Sequence, residues 1–357
     1  MTQLLLGISA LISAISIFNY LTIRIPKNDT PVDAAILVLA PMRNEAENIF
    51  EFVSALSSQS GLSKLSVVLI NDSSTDKTLE YMREAIKHDS RFSIMDSPVL
   101  QSGWLGKVSA LHSGYLSAQA EYIVTLDADV RLQPNALLRS INQLDDLNLD
   151  FVSPYPRQIA KTFSEKLVQP LLHWSWMSTV ILRLAEKSPR KSTAVGNGQF
   201  FVVRKSALDT VGGFASVSNQ ILDDIELARS LIAAGFNGVV TEGSAIASTR
   251  MYSSFDEIRQ GYGKSLWKAF GGVFGSVITS LFIFATGVLP IVLAVQGYLS
   301  GFLIYLLITL TREISALRSR SNPLYAFLHP LSSLLLIYLI CYSWLRRGRI
   351  QWKGRTV

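Results

Sequence analysis

The stretch "EYIVTLDADVRL", residues 121–132, decides the fold of this chain. Its first half is apolar and rich in β-branched residues, as a strand buried on both faces requires. Asp127 and Asp129 follow at once, separated by one residue. The sequence therefore predicts a buried strand that ends in two carboxylates. The function of these carboxylates has to be inferred from the other motifs of the chain.

Two upstream runs have the same composition: "AILVLA" (35–40) and "SVVLIN" (66–71). Helical spacing of apolar residues follows each of them, over 44–59 and 77–89. This alternation predicts a βαβαβ arrangement with parallel strands. Ligands of such sheets bind beyond the carboxyl ends of the strands, where Asp72 joins the two later acids.

No G-x-G-x-x-G follows the first strand, which continues as "LAPMRNEAEN" (39–48). A sheet that ends in acids recognises either a base and ribose through hydrogen bonds or a phosphate through a cation. Carboxylates two residues apart can share a divalent ion, so Asp127 and Asp129 are candidate ligands of Mg²⁺ or Mn²⁺. The alternative is a strand-end turn with two solvated acids.

Three further stretches each allow a chemical and a structural interpretation. Lys107 opens a predicted helix in "SGWLGKVSALHSG" (102–114), which suits an anion, or is a solvated lysine. Gln199 lies in "AVGNGQFFVVRK" (194–205), which predicts a hairpin turn or a loop that admits substrate. Asp223 and Asp224 begin a predicted helix, either as parts of a capping box with Glu226 or with Asp224 as a general base.

The two ends of the chain predict membrane helices. Uncharged apolar runs cover 2–23, 269–311 and 321–345, and "QGYLSG" (296–301) divides the second into two spans. Arg24 and Lys27 follow the first run, which favours an uncleaved anchor and a cytoplasmic middle region. Arg312, Arg318 and Arg320 are expected in a basic loop before the last run, and the tail after it is basic too. One C-terminal segment is therefore expected to be re-entrant or interfacial. Residues 161–187 predict a helix on the membrane surface, or a core helix kinked at Pro170.

Charge and cysteine content exclude several classes of function. The net charge is +6, but residues 31–265 carry −3 and the remaining residues carry +9. The basic residues therefore flank a membrane and form no groove for nucleic acid. Cys341 is the sole cysteine, so an intrachain disulfide and a thiolate metal site are excluded.

Taken in order, the motifs resemble the family 2 glycosyltransferases of the GT-A fold over about residues 34–265. The matching pieces are "APMRNEAENI" (40–49), "INDSSTDKT" (70–78), "GWLGK" (103–107), "LDADV" (126–130), "GNGQFFVVRK" (196–205), "GGF" (212–214) and "LDDIELARSL" (222–231). "STRMY" (248–252), "NPLYAFLHPLSSLLL" (322–336) and "QWKGR" (351–355) resemble the membrane-bound branch that includes carotenoid- and hopanoid-associated enzymes.

The resemblance implies a role for each matching residue. Glu45 and Asp72 would hold the uridine of a UDP-sugar, and Asp127 and Asp129 its metal-bound diphosphate. Asp224 would be the catalytic base. The other implied contacts are Pro41, Lys107 and Ala128 with the donor, and Gly198, Gln199, Asp223 and Lys264 with the acceptor or the donor sugar.

One departure from the family is informative. Processive polysaccharide synthases carry Gln-x-x-Arg-Trp before their membrane helices, whereas this chain reads "RQGYGKSLWK" (259–268). Gln260 is followed by Gly263 and Lys264, which argues against a polymerising enzyme. Lys264 and Trp267 remain candidate site residues to which this motif assigns no specific role.

The sequence thus predicts four regions: an anchor (1–26), a cytoplasmic GT-A domain (31–265), membrane helices (269–345) and a basic tail (346–357). The expected activity is inverting, metal-dependent transfer of a hexose such as glucose from a UDP-sugar at the plasma membrane. The expected acceptor is the hydroxyl or carboxyl of a lipid, with a carotenoid- or hopanoid-type terpenoid favoured. The alternatives are transfer to polyprenyl phosphate, for which Arg250 and Lys264 could bind the anion, and a membrane scaffold without activity.

Overall fold

A computed structural model describes residues 2–349, 351–352 and 355–356 of the chain. It contains two compact units. The sheet unit comprises Arg24–Arg157 and Leu184–Thr249, and the helical unit comprises Met1–Ile23, Gln158–Arg183 and Arg250–Val357. Part of the predicted "QWKGR" motif and of the basic tail lies outside the described residues.

A seven-stranded mixed sheet forms the centre of the sheet unit, in the order β3-β2-β1-β4-β8-β6-β9. The strands of the chain are β1 (Val32–Met42), β2 (Leu62–Asn71), β3 (Phe92–Asp96), β4 (Tyr122–Leu126), β5 (Val130–Leu132), β6 (Phe151–Tyr155), β7 (Arg157–Gln158), β8 (Phe200–Arg204), β9 (Gly238–Glu242), β10 (Ala247–Thr249), β11 (Gln351–Trp352) and β12 (Arg355–Thr356).

The predicted parallel core of this sheet is confirmed. β1 pairs in parallel with β2 on one side and β4 on the other, and Val38 lies opposite both Val67 and Val124. All five residues of β4 are buried, as its continuous apolar run requires. β3 was not predicted, because this strand has only five residues and is only partly buried at the sheet edge.

The antiparallel strand β8 brings the Asn-Gly loop beside the two acids. Leu126 at the end of β4 lies opposite Phe200 at the start of β8. One residue further, the Asp127 backbone N–H donates to the Gln199 carbonyl at 3.2 Å. Pairing of these two strands therefore joins sequence motifs that are some 70 residues apart.

Helices pack against the sheet and supply the rest of its core. They are α2 (Ile49–Ser57), α3 (Thr78–Ala85), α4 (Gly106–Leu116), α5 (Ala136–Asp146), α8 (Leu182–Ala185), which crosses the unit boundary, α9 (Lys205–Thr210) and α10 (Asp223–Ala233). The buried cluster includes Ile70, Ile123 and Phe201 from the strands with Leu111 of α4 and Leu231 of α10. This packing fixes the starts of α4 and α10, which carry Lys107 and Asp224.

The helical unit consists of α1 (Thr2–Thr22), α6 (Phe163–Val168), α7 (Pro170–Thr179), α11 (Phe255–Ala269), α12 (Val273–Ile283), α13 (Leu289–Val295), α14 (Leu299–Arg318) and α15 (His329–Leu345). A π-helical turn (Phe284–Val288) joins α12 to α13, and a 3₁₀ helix (Pro323–Leu328) precedes α15. Among the described residues, four segments are long and apolar enough to cross a bilayer: Thr2–Thr22, Val273–Val295, Leu299–Arg318 and Pro323–Leu345. Membrane helices at both ends of the chain are thus confirmed.

The first of these helices has its polar residues on the protein side. Ser9, Ser16 and Asn19 are buried, whereas Leu11 and Leu21 are exposed. The Asn19 side chain donates to the carbonyls of Met177 (2.9 Å) and Val180 (2.6 Å), and Ser16 bonds the hydroxyl of Ser178 at 3.0 Å. Small and polar residues at the helix contact with an apolar outer face are the arrangement that a bilayer selects.

Two expectations about this unit need correction. Residues 161–187 form no continuous surface helix: α6, α7 and α8 are separate, and the break falls at Gln169 and Pro170. Proline lacks the N–H that would continue the helix, and Met177 is buried. The structure is therefore nearer to the predicted alternative, a core segment interrupted at Pro170. The expected basic loop after residue 311 is also wrong, since Arg312 lies inside α14 and is only 9% exposed.

Candidate active site

Lys107 and Asp127 form the centre of the site. Lys107 is the second residue of α4, and its Nζ lies 2.6 Å from Oδ1 of Asp127. Burial by itself lowers the pKa of Lys107, but the neighbouring carboxylates, with Asp127 foremost, outweigh it and raise that pKa above its ordinary value. The lysine is therefore a fixed positive charge among acids.

Asp224 is held by two backbone donors. The N–H of Gly198 donates to its Oδ2 at 2.6 Å, and the N–H of Ile225 donates to its Oδ1 at 2.8 Å. Burial raises its pKa, while the charge of Lys107 and the two hydrogen bonds act in the opposite direction. A carboxylate with a raised pKa that remains oriented is suited to accept a proton.

The expected capping box at the start of α10 is absent. Asp223 is the first residue of the helix, the residue before it is Leu222, and no side chain caps that end. Asp223 also has a raised pKa, of about 6, because it is buried; Lys107 lowers that pKa and Asp224 raises it. The two acids therefore contribute charge to the site and do not serve as helix caps.

Gly198 gives the loop its close approach to these charges. A Cβ atom at this position would lie 3.1 Å from Lys107 Nζ and 3.4 Å from Asp224 Oδ2. Asn197 fixes the loop, because its Oδ1 accepts from the Gln199 N–H at 3.1 Å and its Nδ2 donates to Gln199 Oε1 at 3.0 Å. The chain thus places a bare backbone N–H where a side chain would collide.

Asp129 lies at the far end of the same turn. Its Oδ2 accepts a hydrogen bond from the Thr249 hydroxyl at 2.9 Å. Burial first, and then the charge of Asp127, raise the pKa of Asp129 to about 6. Two carboxylates that repel each other in this way are stabilised by any cation that they share.

The donor set fits a hard divalent ion that is also bound by substrate. The described residues contain no group of three or more His, Cys, Asp or Glu side chains placed to hold a metal. Asp127 and Asp129 alone would supply two carboxylates, which leaves most of the coordination to phosphate oxygens and water. Mg²⁺ is commonly bound in this way at phosphate-transfer sites.

A second network joins the first strand to the acidic turn. The Arg131 guanidinium donates to the Ala128 carbonyl at 2.8 Å and to Oδ1 of Asn48 at 2.7 Å. Asn48 in turn donates to Oε2 of Glu45 at 2.8 Å. Arg131 and Asn48 were not predicted from the sequence; the adjacency of Asn48 to the "NEAEN" acids was the available signal.

The remaining predicted residues occupy two places. Pro41 pairs with Ile70 near the ends of β1 and β2, and Asp72 directly follows β2 and is 5% exposed. Arg43, another residue that sequence reasoning missed, donates to the Asp72 carbonyl at 2.7 Å. Lys264 lies on α11 of the helical unit, where its carbonyl accepts from Trp267 Nε1 at 3.0 Å, and its role stays a prediction.

One predicted anion contact is already used by the protein. The Arg250 guanidinium donates to Oε1 of Glu165 at 2.9 Å, and the Glu165 side chain is fully buried. Thr162 also donates to Glu165, at 2.8 Å. Arg250 therefore neutralises an internal acid, which weakens its assignment to a polyprenyl phosphate.

Comparison with known proteins points to one family of enzymes. The model of Glycosyl transferase family 2 matches residues 37–212, which include both acids of the turn. The 4,4'-diaponeurosporenoate glycosyltransferase of Staphylococcus haemolyticus is 23% identical over 72% of this chain and 68% of its own length. The poly-beta-1,6-N-acetyl-D-glucosamine synthase of Staphylococcus aureus is 29% identical over 62% of this chain, which spans about half of that protein, 53%.

The fold has a solved counterpart. A mannosyltransferase from Pyrobaculum calidifontis, determined with GDP-Man and Mn²⁺, superposes with a TM-score of 0.54 over 96% of this chain and 98% of that one. At 16% identity this likeness concerns the fold alone. Family model, relatives and architecture agree: residues 37–212 match Glycosyl transferase family 2, and the chain has a GT-A fold.

Proposed function

We propose that this enzyme transfers a hexose such as glucose from a UDP-sugar to the hydroxyl or carboxyl of a terpenoid lipid, with inversion at the anomeric carbon. The observation that carries the proposal is the Asp224 carboxylate, fixed by the Gly198 N–H at 2.6 Å and adjacent to the Lys107–Asp127 pair. The site thus offers a base beside a place suited to a departing diphosphate.

In the proposed reaction with a hydroxyl acceptor, Asp224 takes the proton from the acceptor oxygen as that oxygen attacks the anomeric carbon. A carboxyl acceptor is already ionised at neutral pH and attacks as the carboxylate, with no proton to transfer. The bond from that carbon to the UDP oxygen breaks, and UDP leaves with the bonding electrons. Because attack and departure occur on opposite faces, one displacement inverts the configuration. No covalent enzyme intermediate is required.

Lys107 assists departure because its charge lies where the diphosphate is expected. A Mg²⁺ or Mn²⁺ ion held by Asp127 and Asp129 would neutralise charge on the leaving group. The Mn²⁺ bound by the Pyrobaculum enzyme is a precedent for such an ion in this fold. On the uridine side we assign Glu45 and Asp72, with Asn48 and Arg131 to keep Glu45 in position.

The acceptor is proposed from the relative and from the helices. The Staphylococcus haemolyticus relative is named for a carotenoid-type acceptor, and four segments of this chain can span a bilayer. We place the enzyme at the plasma membrane with the sheet unit in the cytoplasm, where UDP-sugars are available. The pairing of Arg250 with Glu165 makes polyprenyl phosphate the second choice.

The test is product identification with purified, detergent-solubilised enzyme and a panel of UDP-sugars. Terpenoids that carry a hydroxyl or a carboxyl, polyprenyl phosphate and an oligosaccharide of N-acetylglucosamine serve as acceptors. A glycosylated terpenoid of inverted configuration supports the proposal. If the product is a polyprenyl-phosphate sugar or an extended oligosaccharide, that acceptor replaces the terpenoid in the proposal. Absence of product with every donor would refute the activity.

A further inference from the structure

The helical unit contains a buried arginine without an acidic partner. Arg312 lies inside α14 and is 9% exposed, and no described carboxylate forms an ion pair with it. Its Nη2 donates to Ser333 at a long 3.3 Å, and its Nε is buried without a hydrogen-bond partner. Leaving a buried charge without a partner is strongly destabilising on general grounds.

The protein positions the guanidinium despite this cost. It stacks on the ring of Trp174, 4.3 Å from the centroid, and the Trp174 Nε1 donates to the Thr311 hydroxyl at 2.8 Å. A cation–π contact offsets part of the desolvation but leaves the Nε–H without an acceptor. Arg312 is therefore held ready for an acceptor that the described side chains do not supply.

A small polar cavity lies beside the guanidinium. Its polar and aromatic lining consists of Lys166, Trp174, Arg312, Asn322, Tyr325 and Ser332. The lining includes two cations and no acid, and its volume of about 20 Å³ has room for about one water-sized group. The cavity is too small for a sugar ring but suits the oxygens of one anionic group.

Lys166 supplies the second charge from the outer side. It is half-buried, and its Nζ lies 5.3 Å from the centroid of the Tyr325 ring. The adjacent Glu165 is occupied by Arg250 and does not neutralise it. Asn322 beside it is exposed, so the cavity has a polar route to the surface.

We propose that Arg312 and Lys166 form a binding site for the phosphate group of an anionic membrane lipid. Arginine binds phosphate through its forked donors, and basic pockets between membrane helices bind acidic head groups. The orphaned Nε, the two cations of the lining and a cavity with room for one phosphate oxygen support that assignment. The proposal concerns the helical unit alone and does not rest on the acceptor assigned above.

The test measures lipid binding to the full-length purified enzyme by native mass spectrometry. Phosphatidylglycerol is compared with phosphatidylcholine, and inorganic phosphate is tested as a competitor. We expect preferential binding of phosphatidylglycerol that falls about tenfold in Arg312→Gln and in Lys166→Gln, as loss of a charged hydrogen bond predicts. Arg312→Lys should retain part of the preference.

Arg320→Gln is the matched control, because Arg320 is exposed and lies outside the cavity lining. Equal affinity for the two lipids, or an equal loss in Arg320→Gln, would overturn the proposal. So would unchanged lipid preference in Arg312→Gln accompanied only by a lower melting temperature, since that result makes Arg312 a packing residue. Inorganic phosphate that binds as tightly as the lipid would overturn the lipid as the source of the anion.

Discussion

Nζ of Lys107 lies 2.6 Å from Oδ1 of Asp127, and this ion pair joins the start of α4 to the end of β4. The same lysine lowers the pKa of Asp224 by its charge. One cation thus acts on both sides of the proposed reaction, on the leaving group and on the base. Four predictions follow from its surroundings and from the helical unit, and a fifth concerns the base itself.

Replacing Lys107 should move the acid limb of the pH–rate profile. Asp224 must be ionised to accept a proton, so activity rises with pH through its pKa, which burial already raises. Loss of the lysine charge in Lys107→Met raises that pKa further, and the limb should shift to higher pH with a lower kcat. The measurement is kcat against pH.

Lys205→Met is the control for this shift, because Lys205 pairs with Asp209 on the surface. Its profile should match that of the wild type. A limb that stays in place or moves to lower pH in Lys107→Met would contradict the electrostatic role of the lysine.

Gly198→Ala should reduce activity without unfolding the protein. The new Cβ would lie 3.1 Å from Lys107 Nζ and 3.4 Å from Asp224 Oδ2, so the lysine end must shift by a few tenths of an ångström. Misplacement of about 1 Å near a reacting group can cost about 100-fold in rate. We expect kcat to fall by at least tenfold, on the order of that principle, with a melting temperature close to that of the wild type.

If Gly198→Ala keeps full kcat, the close approach of Gly198 to Lys107 and Asp224 is not needed for activity, and this prediction is wrong. It is equally wrong if the loss of kcat follows the loss of folded protein, as a far-UV circular dichroism melt would show.

Arg131→Met should weaken donor binding. This side chain joins the Ala128 carbonyl to Asn48, and through Asn48 to Glu45. Without it the acidic turn and the uridine side lose their connection, and KM for the UDP-sugar should rise about tenfold, the effect of one charged hydrogen bond. The rate at saturating donor should change little.

Arg139→Met provides the comparison, since Arg139 pairs with Asp29 outside the site. Its KM should remain at the wild-type value. An effect of Arg131→Met on kcat alone would assign the arginine to the reaction instead of to positioning.

Glu165→Gln should destabilise the helical unit in a pH-dependent way. Burial raises the pKa of Glu165, but the hydrogen bond from Arg250 and those from its neighbours outweigh it and lower the pKa to about 2. The ionised side chain therefore contributes stability above about pH 4.5, which is lost as the pH falls toward 2. At pH 7 we expect a loss of about 2 kcal/mol, typical of a hydrogen bond to a charged group.

Denaturant unfolding of both proteins across this range checks the sign. Asp256→Asn is the control, because its pair with Arg259 is exposed and should contribute less than about 1 kcal/mol. A difference between wild type and Glu165→Gln that grows as the pH falls would contradict the assignment.

The sequence was sufficient for the centre of the sheet because continuous apolar runs allow few arrangements. β1, β2 and β4 are such runs, and their parallel pairing follows from the helices between them. β3 could not be predicted, since a short edge strand with two of its five residues exposed shows little alternation of apolar and polar residues. The separation of α6 from α7 depends on tertiary packing, which overrides the helical spacing of residues 161–187.

The acids of the site were visible as strand-end residues, but their partners were not. Lys107 and Asp127 are 20 positions apart, and only the packing of α4 on the sheet brings them together. Thr249, Asn48 and Arg131 are ordinary polar residues in sequence, and their contacts with the acids arise from the fold. Arg312 was expected in a loop because a charge is costly within a membrane helix, so its buried position had no sequence signal.

The role of Asp224 as the base is tested most directly by the rate of UDP release from Asp224→Asn. The rate is measured with donor, divalent ion and a hydroxyl-bearing terpenoid acceptor. The amide retains an oxygen for the Gly198 N–H, so the change removes the base and the one hydrogen bond from the Ile225 N–H. We expect kcat to fall by about 100- to 10,000-fold, the usual contribution of a general base. The affinity for the UDP-sugar should be preserved, and the control Asp209→Asn should be fully active. Wild-type turnover by Asp224→Asn would contradict the assignment of Asp224 as the base, and with it the proposed mechanism.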